Sequence, residues 1–509
     1  MNLISENIKI FGNFTNLDEV KQLKEFDNVA EMLEHTFKTN KNRVAIVDNG
    51  VNYTYEHINM NTGFIRSKLN ALGIKKGDHV GVLYSNSIEF VESSLAIMSL
   101  GCVAVVLPYH LDDKTIYGCS LKFNLKAIIS NPNEEKVKFA LNTNKNLKYF
   151  AYSTNIEEKT EYMNVVKTNA TDGAVILFTG GTTGKSKGAL LSNKAVMCGT
   201  INGCFGSGDL LNQRYFLVLP LSHVFGFIRN MMTSIYTGSS LYICRDTKNM
   251  FREIPQFNPT IMVMVPALAE MGLGISKLMG PQVLGNSLKT IICGAAVVNP
   301  HLAKEYNRLG VTLLAGYGLT ESANLVSGNP TTLNNPESVG LAYGNQQFKV
   351  VNGELWIKGD NMLTEYYNSP EENAAAFEDG YFKTGDLIKF DENGYLYIAG
   401  RVKDIIVLSS GENIYPEELE TKFCELECIQ DCLLFTDEKS EILILEALPR
   451  QTVIKQLGIT DVKEYCTEQL QKVNKSLPNF QRVSKIIIRE TDFERTPNMK
   501  IKRIKTKNV

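Results

Sequence analysis

Hydrophobic and polar positions follow two patterns in the first part of the chain. Short apolar runs predict buried strands at residues 44–48, 79–84, 103–107 and 126–130. Apolar residues at helical spacing predict helices at residues 29–37, 56–72, 87–100 and after Asp112. Helices and strands that alternate through short glycine-bearing connections are typical of a parallel sheet covered on both faces.

The same alternation continues between residues 174 and 330. Predicted strands at 174–178, 215–219, 261–265, 289–293 and 311–314 each end in a short turn rich in glycine, proline or polar residues. In open α/β sheets the ligand binds at the edge where parallel strands end. We therefore expect the functional groups of this protein to gather at that edge.

The pattern changes after residue 337. Segments 339–357 and 395–398 predict short strands joined by glycine turns, which indicates a distorted β-barrel. After residue 400 small strands and helices alternate again, with strands predicted at 442–447 and 485–488 and a helix at 462–473. We expect a large N-terminal α/β domain at 1–400 and a small, mobile α+β domain at 401–509.

Composition is that of an ordinary globular protein. The 509 residues are 44% hydrophobic and 21% charged, with a net charge of −2, so nothing indicates a nucleic-acid partner. The N-terminus lacks the basic and apolar pattern of a secretory signal. The longest uncharged run, 93–111, is divided by Gly101 and closed by Pro108, which leaves it short for a membrane span.

The ten cysteines contain no C-x-x-C pair. Cys424, Cys428 and Cys432 are spaced by four, which would place three thiols on one helical face. Without a neighbouring group of histidines or cysteines, we interpret them as reduced thiols of a cytoplasmic protein and not as a metal site.

The most informative stretch is Thr179 to Gly188, which follows the predicted strand at 174–178. Its ten residues contain four glycines, three threonines, one serine and two lysines. Glycines allow the backbone to approach a ligand, amides and hydroxyls donate hydrogen bonds, and lysines supply positive charge. These are the properties of a loop that binds a polyphosphate, whereas a plain surface linker has no need of two lysines.

Two kinds of phosphate loop fit part of this stretch. The Walker A motif, G-x-x-x-x-G-K-[ST], would require a glycine at Thr179 and so fails by one residue. The pattern (S/T)-(S/G)-G-(T/S)-T-G-x-x-K-G of acyl-adenylating enzymes fits from Thr179 to Gly188, with Lys187 at its lysine.

Five further motifs follow in order along the chain: Gly294-Ala295-Ala296, Tyr317-Gly318-Leu319-Thr320-Glu321, the segment from Tyr381 to Asp386, the segment from Gly400 to Glu420, and the segment from Arg495 to Arg503. With these six motifs the chain resembles the acyl-adenylate-forming (AMP-binding) superfamily, of the fatty- or aryl-acid CoA ligase type. The resemblance extends over almost the full length.

The resemblance implies a nucleotide site built from several motifs. The loop residues Thr179, Gly180, Gly181, Thr182, Thr183, Gly184 and Lys187 would hold the ATP phosphates, and Gly294, Ala295 and Ala296 would lie against adenine. Tyr317 and Gly318 would contact the purine, Thr320 the α-phosphate, and Glu321 would hold Mg²⁺. Asp386 would accept the ribose hydroxyls, and Arg401 would contact the nucleotide.

It also implies how the C-terminal block takes part. Lys403 would be the hinge, and Ser409, Ser410 and Gly411 would line the approach of the thiol. Lys500 would enter the site for adenylation. Many family members have glycine where Met499 stands, and Lys502 is the alternative to Lys500 for this role.

The acid substrate is expected to be apolar. Peptide-synthetase adenylation domains hold the substrate ammonium with an aspartate shortly after the strand that ends here at Pro220. Residues 221–227 contain no carboxylate, and a buried ammonium without a counter-ion is costly. His223 and Gly316 are expected to line the carboxylate end of a fatty or aryl acid.

We therefore expect an ATP-dependent, Mg²⁺-requiring acid–thiol ligase that converts an acid, ATP and CoA into acyl-CoA, AMP and pyrophosphate. The alternative within this chemistry transfers the acyl group to the phosphopantetheine of a carrier protein. Outside this chemistry, the sequence leaves open a P-loop NTPase that releases ADP and a nucleotide-binding protein without catalysis.

Overall fold

The computed structural model describes residues 2–154, 161–179, 187–408, 412–437, 442–495 and 501–503. The α-helices of these residues are numbered along the chain as α1 Leu3–Phe11, α2 Leu17–Val20, α3 Val29–Thr39, α4 Tyr55–Ala71, α5 Ile88–Ser99, α6 Asp113–Lys122, α7 Lys138–Thr143, α8 Asn193–Asn202, α9 Thr233–Tyr236, α10 Met250–Phe257, α11 Pro266–Met279, α12 Pro300–Arg308, α13 Pro370–Ala376, α14 Pro416–Cys424, α15 Gln451–Gln456 and α16 Val462–Ser476.

The strands are numbered in the same way. They are β1 Val44–Asp48, β2 Val51–Thr54, β3 His79–Leu83, β4 Val103–Val106, β5 Leu125–Ser130, β6 Lys148–Ala151, β7 Gly173–Thr179, β8 Lys187–Ser192, β9 Arg214–Leu217, β10 Ser240–Ile243, β11 Ile261–Met264, β12 Thr290–Cys293, β13 Thr312–Tyr317, β14 Ser327–Asn329, β15 Leu341–Ala342, β16 Gln346–Val351, β17 Glu354–Gly359, β18 Glu365–Tyr366, β19 Phe377–Glu378, β20 Tyr381–Phe390, β21 Leu396–Arg401, β22 Ile406–Val407, β23 Asn413–Ile414, β24 Ile429–Thr436, β25 Leu443–Pro449 and β26 Lys485–Ile488.

Short polar residues begin several of the helices. The Asn28 side chain accepts a hydrogen bond from the Glu31 backbone N–H at 2.9 Å and so caps α3. Thr54 and His57 form a reciprocal capping box at the start of α4. These side chains satisfy backbone donors that have no partner within the helix. The capping residues explain why the helices begin close to their predicted positions.

Two large sheets form the body of the protein. In the seven-stranded sheet, ordered β18-β8-β7-β4-β3-β5-β6, the strands from β7 to β6 run parallel and β8 and β18 add antiparallel pairs. In the nine-stranded sheet, ordered β15-β14-β13-β12-β11-β9-β10-β1-β2, antiparallel strands are confined to the two edges. The predicted fold of parallel-rich sheets covered by helices is confirmed.

A third sheet follows, with the order β16-β17-β20-β19 and β21 paired with β20, and it forms a half-barrel. The C-terminal block contains the pair β22-β23 and the sheet β24-β25-β26. Its apolar side chains, such as Phe423 and Leu445, form a cluster separate from the clusters of the large sheets. No helix in the described residues is long and apolar enough to cross a membrane.

The structure corrects three local expectations. Strand β13 extends to Tyr317, beyond its predicted end, because Gly316 and Tyr317 pair with β14. A π-helix at Phe225–Met232 follows the turn at Pro220 and has no counterpart among the predicted elements. The expectation of three thiols on one helical face is wrong, because Cys424 ends α14, Cys432 lies on β24 and Cys428 lies between them.

Candidate active site

The phosphate-loop segment lies between two paired strands. β7 and β8 run antiparallel, and their register places Thr179 opposite Lys187. The predicted loop residues Gly180, Gly181, Thr182, Thr183 and Gly184 lie outside the described residues. The pairing therefore brings Thr179 and Lys187, the first and last predicted site residues of the motif, side by side where β7 ends.

Tyr366 is the neighbour of Lys187 at this edge. It lies on β18, which pairs with β8 so that Tyr366 is opposite Ala189. The Lys187 ammonium lies 4.9 Å from the centre of the Tyr366 ring. An ammonium over an aromatic face is attracted by the negative potential of the ring. The aromatic ring thus helps to hold the lysine at the mouth of the loop.

The hydroxyl of the same tyrosine contacts Glu321. It donates a hydrogen bond to Glu321 Oε1 at 2.7 Å, and the Leu363 N–H donates to the Glu321 carbonyl oxygen at 2.7 Å. Burial raises the pKa of the Glu321 carboxyl above its ordinary value. Tyr366 therefore connects the lysine of the first motif to the carboxylate of the third. None of the six motifs includes Tyr366, so the sequence does not predict it as a site residue.

The segment that carries Glu321 depends on a tight chain reversal. It forms a short 3₁₀ helix, Thr320–Ser322, after β13, and Thr320 is 8% exposed. A Cβ atom at Gly318 would lie 1.4 Å from the Asn324 carbonyl oxygen, so only glycine fits there. This close approach explains the glycine between Tyr317 and Thr320.

Asp386 is buried and has partners for both of its carboxylate oxygens. The Tyr317 hydroxyl donates to Oδ2 at 2.5 Å, and Arg401 Nε donates to Oδ1 at 2.7 Å. The register of β20 and β21 pairs Asp386 directly with Arg401. Burial opposes the charge of the guanidinium, yet the Asp386 carboxylate raises the pKa of Arg401 overall. These three predicted residues thus form one hydrogen-bonded group.

The end of β12 contributes a short backbone segment, the ledge formed by Gly294, Ala295 and Ala296. Gly294, Ala295 and Ala296 follow β12, and Ala296 is exposed. Ala295 has a φ of 67°. A Cβ atom at Gly294 would lie 3.1 Å from the Gly316 carbonyl oxygen. The ledge therefore lies directly beside the end of β13.

His223 lies in the turn between β9 and the π-helix and is partly buried. The Phe225 N–H donates a hydrogen bond to His223 Nδ1 at 3.3 Å. Because Nδ1 is the acceptor in this contact, the neutral ring carries its proton on Nε2. The turn therefore fixes which nitrogen of His223 is available as a donor.

The C-terminal block contributes fewer described residues to the site. Lys403 is exposed in the short turn Val402–Asp404 that follows β21. Ser409, Ser410, Gly411 and Lys500 lie outside the described residues. Lys502 donates its backbone N–H to the Glu494 carbonyl oxygen at 2.8 Å.

Two polar contacts join the C-terminal block to the large sheets. Arg450 Nη2 lies 3.1 Å from Glu270 Oε1 of α11, with side chains 5% and 18% exposed. The Asn299 side-chain amide donates to the Cys424 carbonyl oxygen at 2.7 Å. Burial raises the pKa of the Glu270 carboxyl. This largely buried ion pair forms only when the C-terminal block lies against the large sheets as it does in this structure.

Comparisons with known proteins agree with the geometry. The AMP-binding enzyme family matches residues 33–367, and the AMP-binding enzyme C-terminal domain matches residues 403–508. A long-chain-fatty-acid–CoA ligase of Bacillus subtilis (strain 168) is 27% identical in an alignment 455 residues long that covers 77% of this chain and 80% of that protein. A 2-succinylbenzoate–CoA ligase of Oceanobacillus iheyensis is 26% identical in an alignment 400 residues long that covers 75% of this chain and 81% of that protein.

Solved structures show the same fold. An anthranilate CoA ligase in complex with anthranoyl-AMP superposes with a TM-score of 0.82 at 19% identity, over 94% of this chain and 96% of that one. At this level of identity the likeness concerns the fold alone.

Proposed function

The chain belongs to the AMP-binding enzyme family, and from this premise we propose that it is an AMP-forming acid–thiol ligase. It activates a carboxylic acid with ATP to an acyl-adenylate and then transfers the acyl group to CoA. The observation that carries the proposal is the contact of Tyr366 with both Lys187 and Glu321. Through it, the cation and the carboxylate that adenylation requires are held together at one edge of the sheet.

The first step brings two anions together. A carboxylate oxygen of the acid attacks the α-phosphorus of ATP, and pyrophosphate leaves with the bonding electrons. Lys187 and Lys500 stabilise the negative charge on the phosphates as it moves toward the leaving group. No nucleophilic side chain is needed, because the acid itself is the nucleophile.

Mg²⁺ fits the residues at this edge. One oxygen of the Glu321 carboxylate accepts a hydrogen bond from Tyr366, and burial raises the pKa of this carboxyl, so that a bound cation would stabilise its charged form. Mg²⁺ is usually held by one or two carboxylates together with substrate phosphates. When bound, the ion would neutralise phosphate charge beside Glu321.

The nucleotide binds against the hydrogen-bonded group of Tyr317, Asp386 and Arg401. Each oxygen of Asp386 accepts one hydrogen bond in the structure and has a second lone pair, so the ribose hydroxyls bind to Asp386 beside Tyr317 and Arg401. Thr179 contacts the phosphates with the rest of the loop, Thr320 contacts the α-phosphate, and Gly294, Ala295 and Ala296 lie against adenine.

The second step uses the C-terminal block. The thiol attacks the carbonyl carbon of the acyl-adenylate, loses its proton, and AMP leaves. We place the domain boundary near residue 401, where β21 ends, with Lys403 as the hinge. Ser409, Ser410 and Gly411 line the thiol approach. The separate apolar cluster of the C-terminal block supports a part that moves as one body.

The acid lies between His223 and Gly316, at the ends of β9 and β13. An apolar fatty or aryl acid fits a site whose turn, residues 221–227, carries no carboxylate. A carrier-protein phosphopantetheine remains the alternative acceptor, since its terminal arm is the same as that of CoA. We also propose a cytoplasmic location, which the cysteine pattern favours.

Acid-dependent exchange of labelled pyrophosphate into ATP tests the first step. A panel of fatty and aryl acids should support exchange, and amino acids should not. Offering CoA and a holo carrier protein to the active acid then identifies the acceptor. Exchange with amino acids alone would overturn the substrate assignment.

A further inference from the structure

A buried arginine lines a cavity together with Gly316, a residue of the proposed acid site. Arg229 lies on the π-helix that begins at Phe225, and it is only 3% exposed. It lines a cavity of about 30 Å³ together with Gly316, Tyr343 and Ser327. A cavity of this size accommodates a group no larger than one or two water molecules, which is also the scale of a carboxylate.

Arg229 has no counter-ion in the described part of the chain. None of the ion pairs found there includes it, and its Nη1 atom makes no hydrogen bond. The titratable groups that face it are the Cys204 thiol and the Tyr215 and Tyr343 phenols. These neutral groups do not balance a buried positive charge, which is costly to leave unpaired.

The cavity shares Gly316 with the proposed acid site. Gly316 precedes Tyr317 in β13, and the Cβ position of Gly294 is 3.1 Å from the Gly316 carbonyl oxygen and 3.6 Å from Phe225 Cζ. His223 lies two residues before Phe225, and Arg229 lies four residues after it.

We propose that Arg229 determines specificity by binding an anionic group at the far end of the acid. The substrate is then an acid with an apolar body and a second carboxylate at the end remote from the reacting one. This inference rests on the proposed function and refines it. The body of the acid is still expected to be apolar, and only its far end carries a charge. The second carboxylate supplies the negative charge that balances Arg229.

The test compares matched acids in the pyrophosphate-exchange assay with the full chain. Octanedioate is paired with octanoate, and 4-(2-carboxyethyl)benzoate with 4-ethylbenzoate. A charge-assisted hydrogen bond corresponds to about a 10- to 150-fold difference in kcat/KM. We expect the wild type to prefer the diacid of at least one pair by about this factor.

The variant Arg229→Met should reverse that preference, since the diacid would then lose its partner while the monoacid would not. Arg229→Lys keeps the charge and should retain part of the preference. Arg214→Met is the matched control: Arg214 contacts the Asn258 carbonyl oxygen and the Phe257 ring at the opposite end of β9, and its loss should leave the preference unchanged.

Each remaining outcome decides against the inference. If both monoacids are exchanged at least as well as their diacids by the wild type, Arg229 does not select the far end, although the ligase function stands. The inference is also wrong if chloride stabilises the wild type but not Arg229→Met in thermal unfolding while no diacid is preferred. If no acid supports exchange, the proposed function fails together with the inference.

Discussion

The Tyr366 hydroxyl donates a hydrogen bond to Glu321 Oε1 at 2.7 Å, while the ring of the same residue lies 4.9 Å from the Lys187 ammonium. One side chain thus positions a cation and an anion that come from distant parts of the sequence. Tyr366 itself is placed by the pairing of β18 with β8. It acts through Lys187 and Glu321, and we regard it as a positioning residue.

Removing only the hydroxyl separates these two contacts. In Tyr366→Phe the ring beside Lys187 remains, but Glu321 loses its donor. We expect kcat/KM for pyrophosphate exchange to fall roughly 10-fold, since the lost hydrogen bond has a charged acceptor. We also expect a higher Mg²⁺ concentration at half-maximal rate. The neighbouring Tyr367→Phe is the control, because its ring packs on His79 away from Glu321. Equal effects in both variants would contradict the assignment.

The C-terminal lysines provide a second prediction. Lys500→Ala should abolish adenylate formation and leave the thiolation of supplied acyl-AMP largely intact, because only the first step places new charge on the phosphates. Lys502→Ala should retain adenylation, since Lys502 pairs with the exposed Glu494. Rapid-quench measurement of both half-reactions distinguishes the two. Loss of both half-reactions in Lys500→Ala would refute a role confined to adenylation.

The Glu270–Arg450 pair predicts how the two parts of the chain are held together. Its side chains are largely buried, so Arg450→Met leaves the Glu270 carboxylate without its partner and weakens the contact. We expect trypsin to cleave the turn at Arg401 to Lys403 faster in this variant. Lys289→Met breaks a pair with Asp209 that does not involve Glu270 or the C-terminal block, and it should leave cleavage unchanged. Unaltered cleavage in Arg450→Met would show that the pair does not hold the arrangement.

Glu92 predicts a pH dependence of stability. It is fully buried, accepts hydrogen bonds from Tyr152 and Asn61, each at 2.6 Å, and burial raises its pKa from 4.5 to about 7. Between these values the folded chain retains a proton that the unfolded chain has lost. Stability from this group is therefore complete below pH 4.5 and is lost as the pH rises toward 7, by up to about 3 kcal/mol.

Denaturant unfolding at pH 5 and pH 8 measures this effect. Glu92→Gln keeps the shape of the side chain without its ionisation, and its stability should change less between the two pH values than that of the wild type. Glu89→Gln is the control, because Glu89 raises the pKa of Glu92 only as a secondary influence after burial. An unchanged pH dependence in Glu92→Gln would show that another group is responsible.

Much of this fold is predictable because the sequence patterns that determine its strands and helices lie within a few neighbouring residues. Strand β1 and strand β26 occupy the predicted residues, since short apolar runs between polar turns determine them. The motif residues Thr179, Lys187 and Asp386 are likewise recognisable from spacing within a few residues. The roles of all the site residues, those of Thr179, Lys187 and Asp386 as well as those of residues 180–184 and Lys500, remain predictions.

The remainder depends on contacts between distant segments. Tyr366 lies on a strand of two residues, whose function follows only from its pairing with β8. In the sequence Arg229 is one charge in an apolar segment. Only after Gly316 and Tyr343 are placed around it is it evident that no residue in the described part of the chain forms an ion pair with it. The extension of β13 to Tyr317 depends in the same way on its pairing with β14.

The central claim is that an acid attacks the α-phosphorus of ATP at the edge formed by Lys187, Glu321 and Asp386. The most direct test incubates the protein with ATP, CoA and the acid panel and identifies the released nucleotide and phosphate. The account predicts acid-dependent formation of AMP and pyrophosphate in equal amounts. Release of ADP and orthophosphate, or nucleotide turnover that does not depend on the acid, would contradict it.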